Sequence, residues 1–379
     1  MWGYSLCCPS SCTCYSNGIV YCTNPEQMLD SIPNDLPSNT KYLHINNQLL
    51  QNLSSLNCNQ LPNLNICKNA YNNRIEVIEY TDFLGCSLLN TLIISNNLLP
   101  EIMNGTFDGL TSLQTLQINN NLLTQLMNGI FISLTSLQIL DINNNLLTEI
   151  MNGTFFGLTS LQTLDLKNNF LTEIKNETFN VLTALVTLNL ENNELSQIEI
   201  GAFANLHFIQ NLYLSKNKLQ QIESGTFVNL QALRYLYLHN NYLTEINSGT
   251  FNDLFSLQVL DLNNNSLATI TNGTFDGLSS LHTLYISDNQ LENIENGTFE
   301  HLTGLQYLYL DQNMIYDVSF VDSLPSSLYV LSLNNNSIGN IPNGTFNGLT
   351  RLQNLSLNNN SISEIQNETF AELTSLREL

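Results

Sequence analysis

The sequence predicts an α/β solenoid with the shape of a horseshoe, in which a parallel β-sheet lines the concave side and mostly irregular chain forms the convex side. Two observations predict it. Apolar residues recur every 24 residues over most of the chain, and for a few positions in each repeat they alternate with polar residues. One repeat has too few apolar residues to form a core of its own, so neighbouring repeats must stack on each other.

The period is clearest in the leading leucine of each repeat. The spacing is 24 residues from position 89 to 305, and after one shorter unit of 23 residues the phase returns at 328. Each unit reads L-x-x-L-x-L-x-x-N-x-L, followed by an Ile or Val, a Phe and a Leu. Within the segment 116–118, the alternation of Leu, Gln and Ile is the period-2 pattern of a strand with one buried face.

This pattern resembles the leucine-rich repeat family, in its extracellular subclass with units of about 24 residues. The resemblance implies two structural ladders. An asparagine at the end of each strand would serve backbone groups that the sheet leaves unpaired, and a phenylalanine spine would pack under the convex side. The asparagines are Asn97, Asn121, Asn145, Asn169, Asn193, Asn217, Asn241, Asn265, Asn289, Asn313, Asn336 and Asn360. The phenylalanines are Phe83, Phe107, Phe131, Phe155, Phe179, Phe203, Phe227, Phe251, Phe275, Phe299, Phe346 and Phe370.

All eight cysteines lie in the first 86 residues. The run from position 8 to 22 reads C-P-x-x-C-x-C-x7-C and resembles the N-terminal cysteine-rich cap of extracellular leucine-rich repeat proteins. That resemblance implies disulfides Cys8–Cys14 and Cys12–Cys22, which form in an oxidising compartment. We therefore expect a cap at residues 1–39 and a repeat array at residues 40–379, on an extracellular or cell-surface protein.

The cysteines also leave alternatives open. A zinc site is disfavoured because the run lacks a second cysteine pair or a nearby histidine. Cys7 is adjacent to Cys8 and is an alternative partner for the first cap disulfide. Further along, Cys58 has two candidate partners, Cys67 and Cys86, and Cys86 at a core leucine position is alternatively a buried thiol.

Two parts of the array are irregular. Units between about 40 and 88 carry Gln48 where an asparagine is expected, and Ala70 at an apolar core position. The segment 314–327 lacks the Asn-Gly-Thr-Phe turn, and Phe320 is out of register there. The array then stops inside a further repeat, so we expect an open or truncated C-terminal end, with a membrane-anchored parent protein as one alternative.

The composition is strongly acidic, with 32 Asp plus Glu against 10 Lys plus Arg and a formal net charge of -22. Such a charge makes nucleic acid and anionic membrane surfaces poor partners. No apolar run is long enough to span a membrane. A glutamate recurs at one repeat position, and we interpret it as a solvated edge, because the alternating ligands of a calcium loop are not evident. We expect no metal and no cofactor.

Seven glycosylation sequons recur at one turn of the repeat, each an asparagine followed by Gly-Thr or Glu-Thr. They are Asn104, Asn152, Asn176, Asn272, Asn296, Asn343 and Asn367. In a eukaryotic secretory pathway they would place sugar on one stripe outside the sheet. The alternative is that Asn and Gly are retained only because they suit a turn.

A ligand is expected at the variable strand positions of the concave face. Five consecutive units carry six tyrosines there, and tyrosine is enriched in binding hot spots because it offers a large, rigid surface with a hydroxyl. The predicted ligand-binding residues are Tyr213, Tyr235, Tyr237, Asp261, Tyr285, Tyr307 and Tyr309, with Lys216, His239, Asp288 and Asp311 at the ends of the strands. The alternative is that tyrosine simply suits a strand.

No catalytic motif is present: the five histidines are scattered, and there is no phosphate-binding loop, nucleophile elbow or H-E-x-x-H. The cap and regular repeats are similar to those of Toll-like receptor ectodomains and variable lymphocyte receptors. This resemblance implies a non-enzymatic recognition module, possessed by a secreted protein or receptor ectodomain, that binds a protein or glycan. The alternative is a structural or adhesion scaffold of the matrix.

Overall fold

The structure is a computed structural model that describes residues 8–379 apart from 55, 57, 68 and 69. Cys7 and the first six residues of the predicted cap lie outside the described residues. The described chain contains short β-strands of two or three residues, joined by turns. They are β1 (Thr13–Cys14), β2 (Ile19–Tyr21), β3 (Tyr42–His44), β4 (Ile66–Cys67), β5 (Thr91–Ile93), β6 (Thr115–Gln117), β7 (Ile139–Asp141), β8 (Thr163–Asp165), β9 (Glu173–Ile174), β10 (Thr187–Asn189), β11 (Gln197–Ile198), β12 (Asn211–Tyr213), β13 (Tyr235–Tyr237), β14 (Val259–Asp261), β15 (Thr269–Ile270), β16 (Thr283–Tyr285), β17 (Asn293–Ile294), β18 (Tyr307–Tyr309), β19 (Val330–Ser332) and β20 (Asn354–Ser356).

The chain divides into two compact units. The first comprises Met1–Thr172 with Glu177–Leu188, and the second comprises Glu173–Asn176 with Asn189–Leu379. In the first unit, β1 and β2 pair antiparallel, and the strands from β2 to β8 then pair in parallel in chain order. Consecutive strands are offset by one repeat, so each leucine of the central position lies beside the same leucine of its neighbour.

In the second unit, β12, β13, β14, β16, β18, β19 and β20 pair in parallel in that order. Two smaller parallel pairs, β9 with β11 and β15 with β17, lie outside this sheet. The unit that is one residue shorter does not shift the pairing, because Leu308 on β18 lies beside Leu331 on β19. The predicted parallel sheet with mostly irregular connections is confirmed as a β-solenoid. Helix in the described residues is limited to one 3₁₀-helix, η1 (Ser319–Ser323).

The core is formed by the positions that recur with the repeat. In β13, for example, Leu236 is fully buried between two half-buried tyrosines. The spine phenylalanines are also buried, except Phe370, which is half-buried. Rings of successive repeats stack on each other, as Phe107 and Phe131 do at a centroid distance of 6.1 Å. Burial of one such side chain contributes about 1.5–3 kcal/mol, so the spine is a major source of stability.

The asparagine ladder satisfies backbone groups between repeats. Asn241 donates hydrogen bonds from Nδ2 to the carbonyl oxygens of Leu214 and Leu238, both at 3.0 Å. Its Oδ1 accepts a hydrogen bond from the backbone nitrogen of Leu219 at 3.1 Å. The residue before it, Asn240, has a positive φ of 57°, a conformation that asparagine tolerates better than most residues. One Asn-Asn pair therefore supplies both the turn and the buried amide.

The ladder continues into the units that the sequence marks as irregular. Gln48 is buried, and its Oε1 accepts a hydrogen bond from the backbone nitrogen of Leu29 at 2.7 Å. The next member is Asn73, which bonds to Ile45 and Leu50 in the same way as the later asparagines. Glutamine thus replaces asparagine as the acceptor for the preceding turn, while its Nε2 donates to the carbonyl oxygens of Asn46 and Asn47 in its own turn.

Phe320 occupies the place of a spine residue, which corrects the expectation from its register. Its ring is fully buried and packs edge-to-face on Phe299, with the centroids 5.8 Å apart. The 3₁₀-helix η1 is the physical reason, because its tighter winding moves Phe320 onto the spine in a unit that lacks the usual turn.

The described part of the chain contains three disulfides. Cys8–Cys14 and Cys12–Cys22 are the pairs that the cap resemblance implies. The third joins Cys58 to Cys86, so Cys86 is not a buried thiol and Cys67 is not the partner of Cys58. Cys67 is the last residue of β4, whereas Cys58 lies in a turn and Cys86 between two turns, both outside the sheet. No helix in the described residues is long and apolar enough to cross a membrane.

Candidate ligand-binding face

The predicted binding residues lie together on one face of the sheet in the second unit. Strands β12, β13, β14, β16 and β18 are in parallel register, and the central leucine of each is buried. Since side chains alternate along a strand, the first and third residues of each strand are exposed on the opposite face. They form two rows of half-buried side chains that cross the strands.

The row of third positions reads Tyr213, Tyr237, Asp261, Tyr285 and Tyr309. Its tyrosines form two stacked pairs. The rings of Tyr213 and Tyr237 have centroids 5.0 Å apart and planes 5° apart, and those of Tyr285 and Tyr309 are 4.9 Å and 9° apart. Asp261 on β14 interrupts the row between the two pairs.

Two tyrosines of this row, Tyr237 and Tyr309, have a hydroxyl pKa raised above its ordinary value, so both hydroxyls stay protonated at physiological pH. Burial raises the pKa of Tyr237, and the neighbouring Tyr213, Tyr235, Asp261 and Tyr285 raise it further. Burial likewise raises the pKa of Tyr309. A protonated phenol both donates and accepts hydrogen bonds, so the row offers polar contacts at the rim of its apolar ring faces.

His239 lies at the end of β13 and is close to Asp261. Its Nδ1 is 3.1 Å from Asp261 Oδ2, but the geometry is not that of a hydrogen bond, and Nδ1 has no other hydrogen-bond partner. The ring also packs edge-to-face on Tyr237 at 6.3 Å. Asp261 Oδ1, in contrast, accepts a hydrogen bond from the backbone nitrogen of Asn263 at 3.0 Å. The other carboxylate oxygen therefore receives no hydrogen bond from the described residues.

The remaining charged residues at the ends of the strands are already engaged. Lys216 Nζ forms an ion pair with Glu191 Oε1 at 2.8 Å. The carboxylate of Asp311 accepts hydrogen bonds from the hydroxyl of Ser287, at 3.3 Å, and from that of Ser332. Lys216 has a φ of 55°, and Asp288 has a φ of 56°, so both occupy the left-handed turn position before the ladder asparagine. Asp261 lies within the tyrosine row and His239 beside it, while Asp311 lies near Tyr309 and its charge raises the pKa of that tyrosine.

The row of first positions contains Tyr235 and Tyr307. Tyr235 Oη lies 3.5 Å from Gln258 Oε1. The ring of Tyr307 is tilted against Tyr329, with a centroid distance of 6.4 Å. Tyr329 precedes β19 and was not predicted, because the predicted ligand-binding residues are confined to the strands and their C-terminal ends. A tyrosine at a position where other repeats carry glutamine or histidine was the available signal.

Two further groups on the sheet face of the first unit were also missed. Near the cap, the rings of Tyr21 and His44 are stacked at 4.4 Å. Further along, Asp141 and Asp165 lie opposite each other on β7 and β8. Burial raises the pKa of Asp141 to about 6, a hydrogen bond from the backbone of Asn143 opposes this, and the charge of Asp165 adds to the increase.

The seven sequon asparagines are exposed, whereas the threonine of each sequon is buried. Thr226 and Thr250 are equally buried, although each follows Ser-Gly rather than Asn-Gly. The threonine is therefore retained for packing, and only the asparagine distinguishes a sequon from the ordinary turn.

The tyrosine face is an open surface rather than a cavity. A groove of about 480 Å³ in the second unit is lined by residues such as Glu199 and Glu223, and none of the tyrosines lines it. The described residues hold no group of three or more His, Cys, Asp or Glu side chains arranged for a metal ion.

Known structures share this architecture. A leucine-rich repeat protein of Leptospira interrogans is 24% identical, with a TM-score of 0.72 over 92% of this chain and 93% of that one. A chain of the Toll–Spatzle complex of Drosophila is 24% identical, with a TM-score of 0.76 over 91% of this chain and 51% of that one. A chain of an octameric complex of Latrophilin 3, Unc5D and FLRT2 is 25% identical, with a TM-score of 0.66 over 86% of this chain and 92% of that one. No curated protein sequence shows significant similarity.

The family model described as leucine rich repeat matches six segments, which cover most of the chain. They are residues 71–123, 111–169, 159–219, 209–267, 255–315 and 326–379. The unmatched stretch between the last two segments contains η1, where the turn of the repeat is replaced. On the repeat period, the ladder asparagines and this match, the chain belongs to the leucine-rich repeat family.

Proposed function

We propose that this chain is an extracellular recognition module that binds a protein or glycan ligand on the tyrosine face of its second unit. The observation that carries the proposal is the row of two stacked tyrosine pairs around Asp261. The ladder positions are committed to packing, so these side chains are available for recognition. The leucine-rich repeat fold is typically a non-enzymatic interaction scaffold, and solenoids of this kind use extended surfaces for binding.

Stacking supports recognition because it fixes the rings before a ligand arrives. A tyrosine has only two side-chain torsions to restrict, and contact with its neighbour holds both. Little further conformational entropy is then lost on binding, which increases affinity for a given contact area. Tyr237 and Tyr309 each lie in a different stacked pair and are natural positions for a test.

The test is to screen the full chain, immobilised, against an array of purified extracellular proteins and an array of glycans. The variant Tyr237→Ala with Tyr309→Ala is expected to lose binding to each captured ligand by at least tenfold while its Tm stays near that of the wild type. The matched control is Thr115→Ala with Gln117→Ala on β6, which changes the same strand positions in the first unit. If binding survives in the tyrosine variant and is lost in the control variant, the ligand does not bind on the tyrosine face.

The extracellular location is supported by the three disulfides and by the exposed stripe of sequon asparagines. We propose that Asn104, Asn152, Asn176, Asn272, Asn296, Asn343 and Asn367 carry glycans when the chain passes through a eukaryotic secretory pathway. Because the sequon threonines are buried in the folded repeat, the sugar must be added before that repeat folds. Peptide mapping of secreted protein by mass spectrometry tests this, and unmodified asparagines with free cap thiols would contradict it.

A further inference from the structure

The gap in the tyrosine row has the chemistry of a site for one cation. In register, Asp261 lies between Tyr237 on one side and Tyr285 on the other. Each of these tyrosines covers one ring face with its stacked partner. The partners lie on the outer strands β12 and β18, so the other ring faces are directed toward the strand that carries Asp261. On that strand's Tyr237 side, the His239 ring contacts Tyr237 edge-on, with centroids 6.3 Å apart.

The spacing of the strands matches this chemistry. Neighbouring strands lie about 4.8 Å apart, so the rings of Tyr237 and Tyr285, on strands two apart, are separated by about 10 Å. A cation midway between them lies about 5 Å from each ring, within the reach of about 6 Å for a cation–π contact. A planar guanidinium also stacks on aromatic faces and pairs with carboxylates, which an ammonium does less well.

The carboxylate between the rings is held in place with one oxygen available. Asp261 Oδ1 is fixed by the backbone nitrogen of Asn263. Oδ2 accepts no hydrogen bond from the described residues, and His239 Nδ1 lies 3.1 Å from it without hydrogen-bond geometry. The Asp261 side chain is 16% exposed, so an ion pair there is screened less by water than one on the open surface. The lysines of the adjacent turns do not neutralise it, because Lys216 pairs with Glu191 and Lys218 with Glu194.

We propose that Tyr237, Asp261 and Tyr285 form a slot that binds an arginine side chain of a protein ligand. The proposal rests on the proposed function and specifies its partner: a protein with an exposed arginine. The net charge of -22 favours the approach of such a basic surface. A neutral glycan would leave the negative charge of Asp261 without a counter-charge in the complex, which disfavours the glycan alternative.

The direct test uses N-acetyl-arginine amide as the probe and the full chain labelled with 3-fluorotyrosine. Fluorine NMR then follows the ring signals, which are assigned with the variants Tyr237→Phe and Tyr285→Phe. Saturable shifts at these two tyrosines are expected. N-acetyl-citrulline amide has nearly the same shape without the charge, and it is expected to bind at least tenfold more weakly.

A matched pair of variants separates the slot from general attraction to an acidic surface. Asp261→Asn keeps an acceptor for the Asn263 amide and is expected to weaken binding of the arginine probe at least tenfold. Asp165→Asn is the control, because Asp165 occupies the same strand position and accepts an equivalent hydrogen bond from the backbone of Lys167 at 3.0 Å, but its neighbour on β7 is Asp141 rather than a tyrosine. It is expected to change the affinity less than twofold.

Equal binding of arginine and citrulline, or equal binding by wild type and Asp261→Asn, would overturn the slot. A ligand from the arrays that requires Tyr237 and Tyr309 but is insensitive to Asp261→Asn would also overturn it, while leaving the recognition face intact. Conversely, if arginine binds the slot but no array ligand depends on the tyrosines, the proposed function fails and the slot does not. A neutral glycan that shifts the same ring signals while arginine does not would assign the face to glycans.

Discussion

Asp141 and Asp165 lie directly opposite each other on the parallel strands β7 and β8, and this places two carboxylates side by side on the sheet face of the first unit. Burial is the main reason that the pKa of Asp141 rises from its usual 3.8 to about 6. The folded protein therefore binds a proton at this group more tightly than the unfolded chain does. In the pH range where the folded state binds more protons than the unfolded state, the free energy of unfolding falls as the pH rises.

This predicts a pH-dependent effect of Asp141→Asn. Between about pH 4 and pH 6 the wild type loses stability at this site as the carboxyl ionises, and above that range the full cost is present. The variant lacks the charge, and asparagine retains an acceptor for the Asn143 backbone nitrogen, which lies 3.1 Å from Asp141 Oδ1. Its Tm is expected to exceed that of the wild type at pH 7.5, with a smaller difference at pH 4.5.

The control for this measurement is Glu26→Gln, which neutralises an exposed carboxylate of the first unit. It is expected to leave the difference in Tm between the two pH values as in the wild type. If Asp141→Asn stabilises equally at pH 4.5 and 7.5, ionisation of this residue does not influence folding.

Asn241→Ala is expected to destabilise the second unit by about 2–4 kcal/mol, because it removes three hydrogen bonds and leaves buried backbone groups without partners. Urea unfolding measures the change. The matched control is the adjacent Asn240→Gly, which preserves the positive φ at a half-buried position and is expected to have a much smaller effect. Equal effects of the two substitutions would show that the buried amide is not what the ladder requires.

Phe320→Ala is expected to cost about 3–5 kcal/mol, as for removal of a buried phenylalanine from a packed core. The nearby Tyr316→Ala changes an exposed ring and is expected to stay within about 0.5 kcal/mol of the wild type. Hydrogen exchange should show the loss of protection centred on β18 and β19, the strands on either side of η1. A neutral Phe320→Ala would mean that the short unit does not depend on the spine.

Removal of the third disulfide, with Cys58→Ala and Cys86→Ala together, is expected to lower the free energy of unfolding by about 2–4 kcal/mol. Peptide mapping without reduction should recover the peptides of Cys58 and Cys86 as one linked species. Cys67→Ala serves as the comparison and is expected to leave that linked species unchanged. A linked peptide of Cys58 and Cys67 would contradict the pairing.

Much of the fold could be predicted because the repeat converts sequence spacing into spatial distance. Where the period of 24 residues holds, any residue lies beside the residue one repeat later, so the register of β13 with β14, or the stacking of Phe107 on Phe131, follows from numbering alone. The same rule predicts that the six tyrosines lie on one face. The rule does not predict the position of Phe320, where the period of 24 residues is broken, or the contact between Tyr329 and Tyr307, which no other repeat shares.

The sequence by itself determined the parallel solenoid, the buried asparagine and phenylalanine ladders, and the face that carries the tyrosines, because all of these depend on which positions of a repeat are apolar. Only the tertiary structure decided that Cys58 pairs with Cys86, that η1 returns Phe320 to the spine, and that the tyrosines stack in two pairs with one oxygen of Asp261 left without a hydrogen bond. The reason is that ring orientation, disulfide choice and hydrogen-bond geometry depend on distances and angles between particular atoms, and a repeat pattern specifies only which residues are neighbours.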